Sequence, residues 1–303
     1  MGAAARLRRR LWCPGKDVMP VRVLAPAKIN WTLEVLGRRP DGYHEVVTVL
    51  QTIALWDEVE LEEAPGLDLE TVGGPSFGEE DLALRAARLL LPEGGVRLRL
   101  RKGIPVSAGL GGGSSDAAAV LRGICSLLGL PMCTEELARL AASLGSDVPF
   151  FLHGGTALAT GRGEVVSPLP DAPLVWLVLL VPPLGVEGKT GRMYRSLSPS
   201  HYSDGSFTRS FLARLEERGA VDEGLMHNAF EQVAYALLPD LAHYRGALLR
   251  AGARRVHLAG SGPALFALAA DAAEAEALAG RLRAEGLAPF VARTVTRSEA
   301  LGS

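Results

Sequence analysis

The stretch PVSAGLGGGSSDAAAV, Pro105 to Val120, constrains the fold more than any other. The alternating run VRLRLRKGI, Val96 to Ile104, leads into it, and Ala117, Val120, Leu121, Ile124, Leu127 and Leu128 follow at helical spacing until Gly129 and Pro131 end the pattern. A strand therefore delivers the chain into a glycine loop that opens a helix. Glycines let a ligand press against the backbone, and consecutive N–H groups at a helix start meet anionic oxygens with a favourable dipole. Gly109 to Ser115 suits an oligophosphate, although a flexible turn capped by Ser114 or Ser115 reads equally well from the loop alone. Two familiar templates fail here. No Lys follows the last glycine as a Walker A loop requires, and Ser114 stands where a dinucleotide fingerprint needs its third glycine.

The surrounding chain reads as α+β. In VRVLAPAKINWTLEV, Val21, Val23, Ala25, Ala27, Ile29, Trp31, Leu33 and Val35 share one strand face, with Lys28, Asn30, Thr32 and Glu34 on the other. An Asp41-Gly42 turn precedes a second extended run and then a third, acidic one, which predicts an antiparallel N-terminal sheet. Glu79 to Leu91 reads as a helix stopped by Pro92, and Thr134 to Leu144 as another with a capping start at Thr134. The apolar run Pro173 to Gly185 is broken by prolines and too short to span a bilayer, so it reads as a buried strand. The tail predicts strand, turn and strand around GSGP, a helix from Asp271 to Glu285, and a last strand in APFVARTVT. Ser196 to Thr208 is polar and turn-rich, and is expected on the surface.

The 303 residues allow about two domains, expected at 21–170 and 171–303 after a leader at 1–20. The leader is arginine-rich and carries one acid, Asp17; this admits a transit peptide, but the expectation is an unstructured leader or an upstream start with Met19 as the first residue. A net charge of -2 gives no global field for nucleic acid or an acidic membrane, so an anionic ligand must be held by local groups. Cys13, Cys125 and Cys133 form no pair and no metal-ligand spacing, which fits a reducing, cytoplasmic setting.

PAKIN (Pro26 to Asn30), the glycine loop, GSDVPFF (Gly145 to Phe151) and GSGPALFAL (Gly260 to Leu268) occur in the order of the GHMP small-molecule kinases, and the chain resembles that family from Val21 to about Thr296. With GRRPDGYHEVVTVLQ, Gly37 to Gln51, it is similar to the branch that phosphorylates 4-diphosphocytidyl-2-C-methyl-D-erythritol in the non-mevalonate route to isoprenoids. The resemblance implies a two-domain GHMP kinase fold: an N-terminal α/β domain with a mostly antiparallel sheet and a ferredoxin-like C-terminal domain. It implies ATP as phosphoryl donor with Mg²⁺, small-molecule partners only, and a monomer or homodimer. Other readings stay open: a kinase of mevalonate, phosphomevalonate or homoserine, or a non-catalytic sensor on the same fold.

By that resemblance Lys28 and Asp147 are the catalytic pair. Asp147 would orient the hydroxyl and accept its proton, and the Lys28 ammonium would stabilise the developing charge. Taken alone, Lys28 reads as a solvated strand charge and Asp147 as a turn or cap residue. ATP would lie on Pro105, Val106, Ser107, Ala108, Gly109, Leu110, Gly111, Gly112, Gly113, Ser114 and Ser115, where Val106-Ser107 replaces the usual Met-Gly. Substrate contacts would come from Asn30, from Tyr43 and His44 at the cytosine, and from Thr190 and Tyr194, the second stacking aromatic. GVEGKTGRMY is two residues longer than the usual stretch, so an insertion lies near Glu187 and Lys189. Gly260, Ser261 and Gly262 form the third motif, which by itself reads as a tight turn. The metal ligands are left open, with Ser115 and Asp116 suitably placed in sequence.

Overall fold

The computed structural model describes residues 19–184 and 188–302. The leader up to residue 18, Cys13 within it, and residues 185–187 of the expected insertion lie outside the described residues. Contacts group the chain into two units whose pieces interleave. One holds the strand start up to Ala25, Trp56–Gly103 and Gly113–Leu152; the other holds Pro26–Leu55, Ile104–Gly112 and the chain from His153 onward.

The alternation in the sequence is realised as long strands. β1 (Val21–Arg38) and β2 (His44–Glu63) begin and end in different units, and β2 is one continuous strand. The expected second and third runs are thus a single element, because nothing between His44 and Glu63 breaks it: the segment has neither Gly nor Pro. After the Pro65-Gly66 turn come β3 (Leu67–Val72), α1 (Leu82–Leu90) and β4 (Val96–Arg101). The end of β2 runs antiparallel to β4, and β3 runs parallel to β4.

α1 starts later than the expected Glu79, because Asp81 caps it by accepting from the Ala83 N–H at 2.9 Å. α2 (Gly112–Leu128) begins inside the glycine run, so Gly112 to Ser115 are a helical turn rather than loop. α3 (Thr134–Ala141) is capped from Cys133, whose N–H donates to the Glu136 carboxylate at 3.1 Å. α4 (Val148–His153) follows Asp147 directly. The unit's core is Val59, Leu61, Val96, Leu98 and Leu100 of the sheet with Ala83, Ala87, Leu90, Val120, Leu121 and Ile124 of the helices, all buried.

The second unit continues with β5 (Thr156–Gly161), β6 (Val165–Pro168), β7 (Trp176–Leu180), α5 (Lys189–Arg195), α6 (Ser206–Arg218) and β8 (His227–Asn228). Then come α7 (Glu231–Leu237), α8 (Leu241–Arg250), β9 (His257–Leu258), β10 (Leu265–Ala269), α9 (Ala272–Ala284), β11 (Pro289–Arg293) and α10 (Arg297–Leu301). β2 pairs antiparallel with β5, β5 with β6, and β1 pairs parallel with β8 at Thr32 and Leu33. A separate antiparallel sheet has the order β11-β7-β10-β9, the ferredoxin-like arrangement expected for the tail.

Both faces of β7 are covered. Leu177 and Leu179 pack with Trp31, Phe211 and Phe266, while Val178 and Leu180 pack with Leu241, Leu248, Leu278 and Leu282. A strand buried on both sides must be apolar at every position, which is why this stretch reads as an unbroken apolar run. The segment expected as a polar surface loop is partly inside: Ser203 N–H donates to the Val35 carbonyl at 3.0 Å, and Tyr202 packs on the core. Among the described residues no helix is long and apolar enough to cross a membrane.

Candidate functional site

The polar row of β1 is buried. Lys28 is 4% exposed and Asn30 5%, while Thr32 and Glu34 have no exposed surface, so Lys28 is not a solvated strand charge. A charge held inside must be hydrogen-bonded. The Lys28 ammonium donates to Asn30 Oδ1 at 2.9 Å, Asn30 Nδ2 donates to Thr48 Oγ1 at 2.8 Å, and the Thr48 hydroxyl donates to the Thr32 carbonyl at 2.6 Å. This chain fixes the lysine's direction, and Asn30 acts here as its orienter. Thr48 was not evident beforehand, since only β1–β2 pairing brings it there.

The glycine loop and the third motif pack against each other in the same unit. Gly109 has φ +88°, and a Cβ on it would lie 2.3 Å from the Ala259 carbonyl oxygen and 2.8 Å from that of Gly262. Gly260 has φ +54°, and a Cβ there would meet the Gly109 carbonyl oxygen at 2.9 Å and the Lys28 ammonium at 3.1 Å. The two glycines therefore bring three segments together at the lysine. Ala264 N–H donates to the Ala108 carbonyl at 3.0 Å, and Lys28 N–H donates to the Leu110 carbonyl at 2.9 Å. Asn228 holds the turn from behind, its amide donating to the carbonyls of Leu258 and Gly260 at 2.9 and 2.8 Å. Gly260 and Gly262 are thus scaffolding for the loop, with Ser261 at hydrogen-bonding distance, 3.2 Å, from Thr190 Oγ1.

Lys189, at the start of α5, is a further buried cation that the sequence did not single out. It is 7% exposed, and its ammonium donates to the carbonyl of Ser107 at 2.6 Å and to that of Gly262. Burial, and next the positive charge of Lys28, bring its pKa down to about 8. Its only sequence signal is a lysine in a stretch with an insertion, which reads as a surface charge.

The aromatic residues gather in this unit too. His44 stacks on Tyr194 with centroids 5.1 Å apart and meets Tyr202 edge-on at 6.1 Å. Tyr194 in turn lies edge-on to Phe230. Tyr43 is 55% exposed, with the Arg162 guanidinium 4.7 Å over its ring. Burial, and then the charge of Arg38, lower the His44 pKa, so its ring is held neutral, with one donor and one acceptor nitrogen. Tyr202 was missed because it stands in the segment expected as a surface loop, and no motif in the sequence marks Arg162.

In the first unit, the N-terminal turn of α2 presents Gly113, Ser114 and Ser115, and such a turn leaves backbone N–H groups free for an anion. Behind it lies a buried triad. The Lys102 ammonium donates to Asp57 Oδ2 and to Asp116 Oδ2, each at 2.5 Å, and Gly103 N–H donates to Asp57 Oδ1 at 2.6 Å. Burial, and next the charge of Asp57, push Asp116 well above the usual carboxylate range. Burial works against the Lys102 ammonium, but the charges of Asp116 and Asp57 outweigh it and hold its pKa high. Asp147 occupies the turn just before α4 and is partly buried.

Among the described residues no group of three or more His, Cys, Asp or Glu side chains could cage a metal. Ser115 Oγ and Asp116 Oδ1 are buried without a hydrogen-bond partner among them. One hydroxyl and one carboxylate oxygen suit Mg²⁺, which takes few protein ligands and fills its sphere with water and phosphate oxygens.

Residues 81–155 match the GHMP kinases N terminal domain and residues 212–287 the GHMP kinases C terminal domain. The 4-diphosphocytidyl-2-C-methyl-D-erythritol kinase of Dehalococcoides mccartyi is 40% identical over 278 residues, spanning 90% of this chain and 98% of that protein. The enzyme of the same name from Pelotomaculum thermopropionicum is 43% identical over 284 residues, with 91% and 98% covered. A crystal structure of 4-(cytidine 5'-diphospho)-2C-methyl-D-erythritol kinase superposes with a TM-score of 0.77 at 39% identity, covering 90% of this chain and 99% of that one.

Proposed function

This chain belongs to the 4-diphosphocytidyl-2-C-methyl-D-erythritol kinases of the GHMP kinase family, and from that premise we propose that Lys28 and Asp147 carry the transfer of the γ-phosphoryl of ATP to the 2-hydroxyl of the cytidine-bearing alcohol. The observation that carries the reading is the buried, oriented ammonium of Lys28 beside the joined glycine loop and third motif. Phosphoryl transfer needs little covalent help from the protein; it needs fixed geometry and positive charge where negative charge gathers.

In this reading the loop from Pro105 to Gly112 and the first turn of α2 hold ATP through backbone N–H groups, and Mg²⁺ arrives with the nucleotide. Asp147 accepts the proton of the attacking hydroxyl, and Lys28 lowers the charge cost of the alkoxide and the moving phosphoryl group. Asn30 directs Lys28. The neutral imidazole of His44 reads the base edge, with Tyr43 and Tyr194 as its stacking partners and Thr190 beside them. The setting is cytoplasmic, with small molecules as the only partners and a monomer or homodimer as the working form.

ADP release, measured in turn with the cytidine alcohol, mevalonate, phosphomevalonate and homoserine, tests the reading. Turnover restricted to the cytidine compound is expected. Turnover of mevalonate or homoserine, with none of the cytidine compound, would overturn it.

A further inference from the structure

Ser107 stands with φ +57°, the one described non-glycine residue in the left-handed region. An L-residue is strained there, because its Cβ crowds the following carbonyl oxygen. Its exposed side chain does nothing evident to offset that strain; its carbonyl is fixed by the Lys189 ammonium at 2.6 Å. The same ammonium also takes the Gly262 carbonyl, so one buried cation ties the entry of the glycine loop to the turn that packs under Gly109. Among the described residues no acid pairs with Lys189, and its site costs it protonation through burial and the nearby Lys28. A lysine kept in such surroundings by two carbonyls has a positional task.

We propose that Lys189 is a positioning residue of the ATP loop: by clamping the Ser107 and Gly262 carbonyls it holds Ser107 in its left-handed conformation and sets the register of the glycines that follow. The proposal rests on the ATP-dependent reading above. Ser107 and Lys189 then form a coupled pair, with serine tolerated at a position suited to glycine because the lysine clamps it.

The test is a double-mutant cycle of Lys189→Met and Ser107→Gly, read as KM for ATP, kcat and direct ATP binding by calorimetry. Losing a charge-assisted hydrogen bond to a strained carbonyl should raise KM for ATP about tenfold or more in Lys189→Met, with kcat changed less. In the Ser107→Gly background the same substitution should cost at most about threefold, since glycine adopts the left-handed conformation unaided. Should Lys189→Met fail to fold, as judged by circular dichroism, Ser107→Val serves instead: a β-branched residue resists positive φ, and a raised KM for ATP with Lys189 intact is expected. Equal effects of Lys189→Met in both backgrounds, or an unchanged KM for ATP in Lys189→Met or in Ser107→Val, would overturn the proposal while leaving the kinase reading in place. Native protein that neither binds ATP nor releases ADP would overturn both.

Discussion

Gly109→Ala isolates the contact between glycine loop and third motif. The added Cβ would stand 2.3 Å from the Ala259 carbonyl oxygen, 2.8 Å from the Gly262 carbonyl oxygen and 3.0 Å from the Gly262 nitrogen. All three are backbone atoms, so no side chain can swing aside. Restoring van der Waals distance requires the two segments to separate by about 1 Å, and a displacement of that size costs on the order of 10²-fold in a phosphoryl-transfer site that works by positioning. The φ of +88° adds about 1 kcal/mol of backbone strain. Gly129→Ala is the control: φ is +60° there, and nothing lies within 4 Å of its new Cβ. It should lose about 1 kcal/mol of stability in urea unfolding and leave ATP use unchanged. In steady-state assays Gly109→Ala should raise KM for ATP or lower kcat/KM for ATP by about 10²-fold. Native KM and kcat in Gly109→Ala would refute the argument that this contact aligns the loop.

Asp147→Asn should lower kcat by about 10²–10⁴-fold with little change in KM for ATP, checked by ADP release; unchanged kcat would remove the base from Asp147. Lys102→Met leaves Asp57 and Asp116 buried against each other without their cation, and should cost about 3–5 kcal/mol in denaturant unfolding, with part regained in Lys102→Met/Asp116→Asn. For Lys189 the folded pKa is lowered from 10.5 to about 8. Between those values the unfolded chain keeps a proton that the folded chain has released, so this group's contribution to stability rises with pH through that window. The clamp on Ser107 weakens over the same range, so KM for ATP should climb above about pH 8 in the native protein and stay flat to roughly pH 10 in Lys189→Arg, whose guanidinium does not titrate. A pH-independent native KM would count against that lysine's role.

Much of the fold was legible because its signals are local. Alternation marked β1 and β4, helical spacing marked α2, and proline marked the end of α1. Alternation reports only that two faces differ, however; it does not say that the polar one is wet. Lys28, Asn30, Thr32 and Glu34 share a polar face that is buried all the same, satisfied by partners such as Thr48 and Thr208 that lie far away in sequence. The start of α2 was hidden because glycine is a poor helix former, and Gly112 and Gly113 are held helical by context rather than propensity. The candidate site was legible where motifs are contiguous. Lys189, Arg162 and Asn228 were not, because their roles arise from backbone carbonyls and rings brought near by tertiary packing, which leave no pattern in the chain.

The central claim is that this protein phosphorylates a cytidine-bearing alcohol at its 2-hydroxyl. Phosphorus NMR of the product formed from ATP and 4-diphosphocytidyl-2-C-methyl-D-erythritol reads this directly. One new phosphomonoester signal coupled to carbon 2, absent without enzyme and growing about 10²-fold or more slowly in Asp147→Asn, is the predicted result; ATP hydrolysed to ADP and free phosphate with the alcohol unchanged, or phosphate on another hydroxyl, would contradict it.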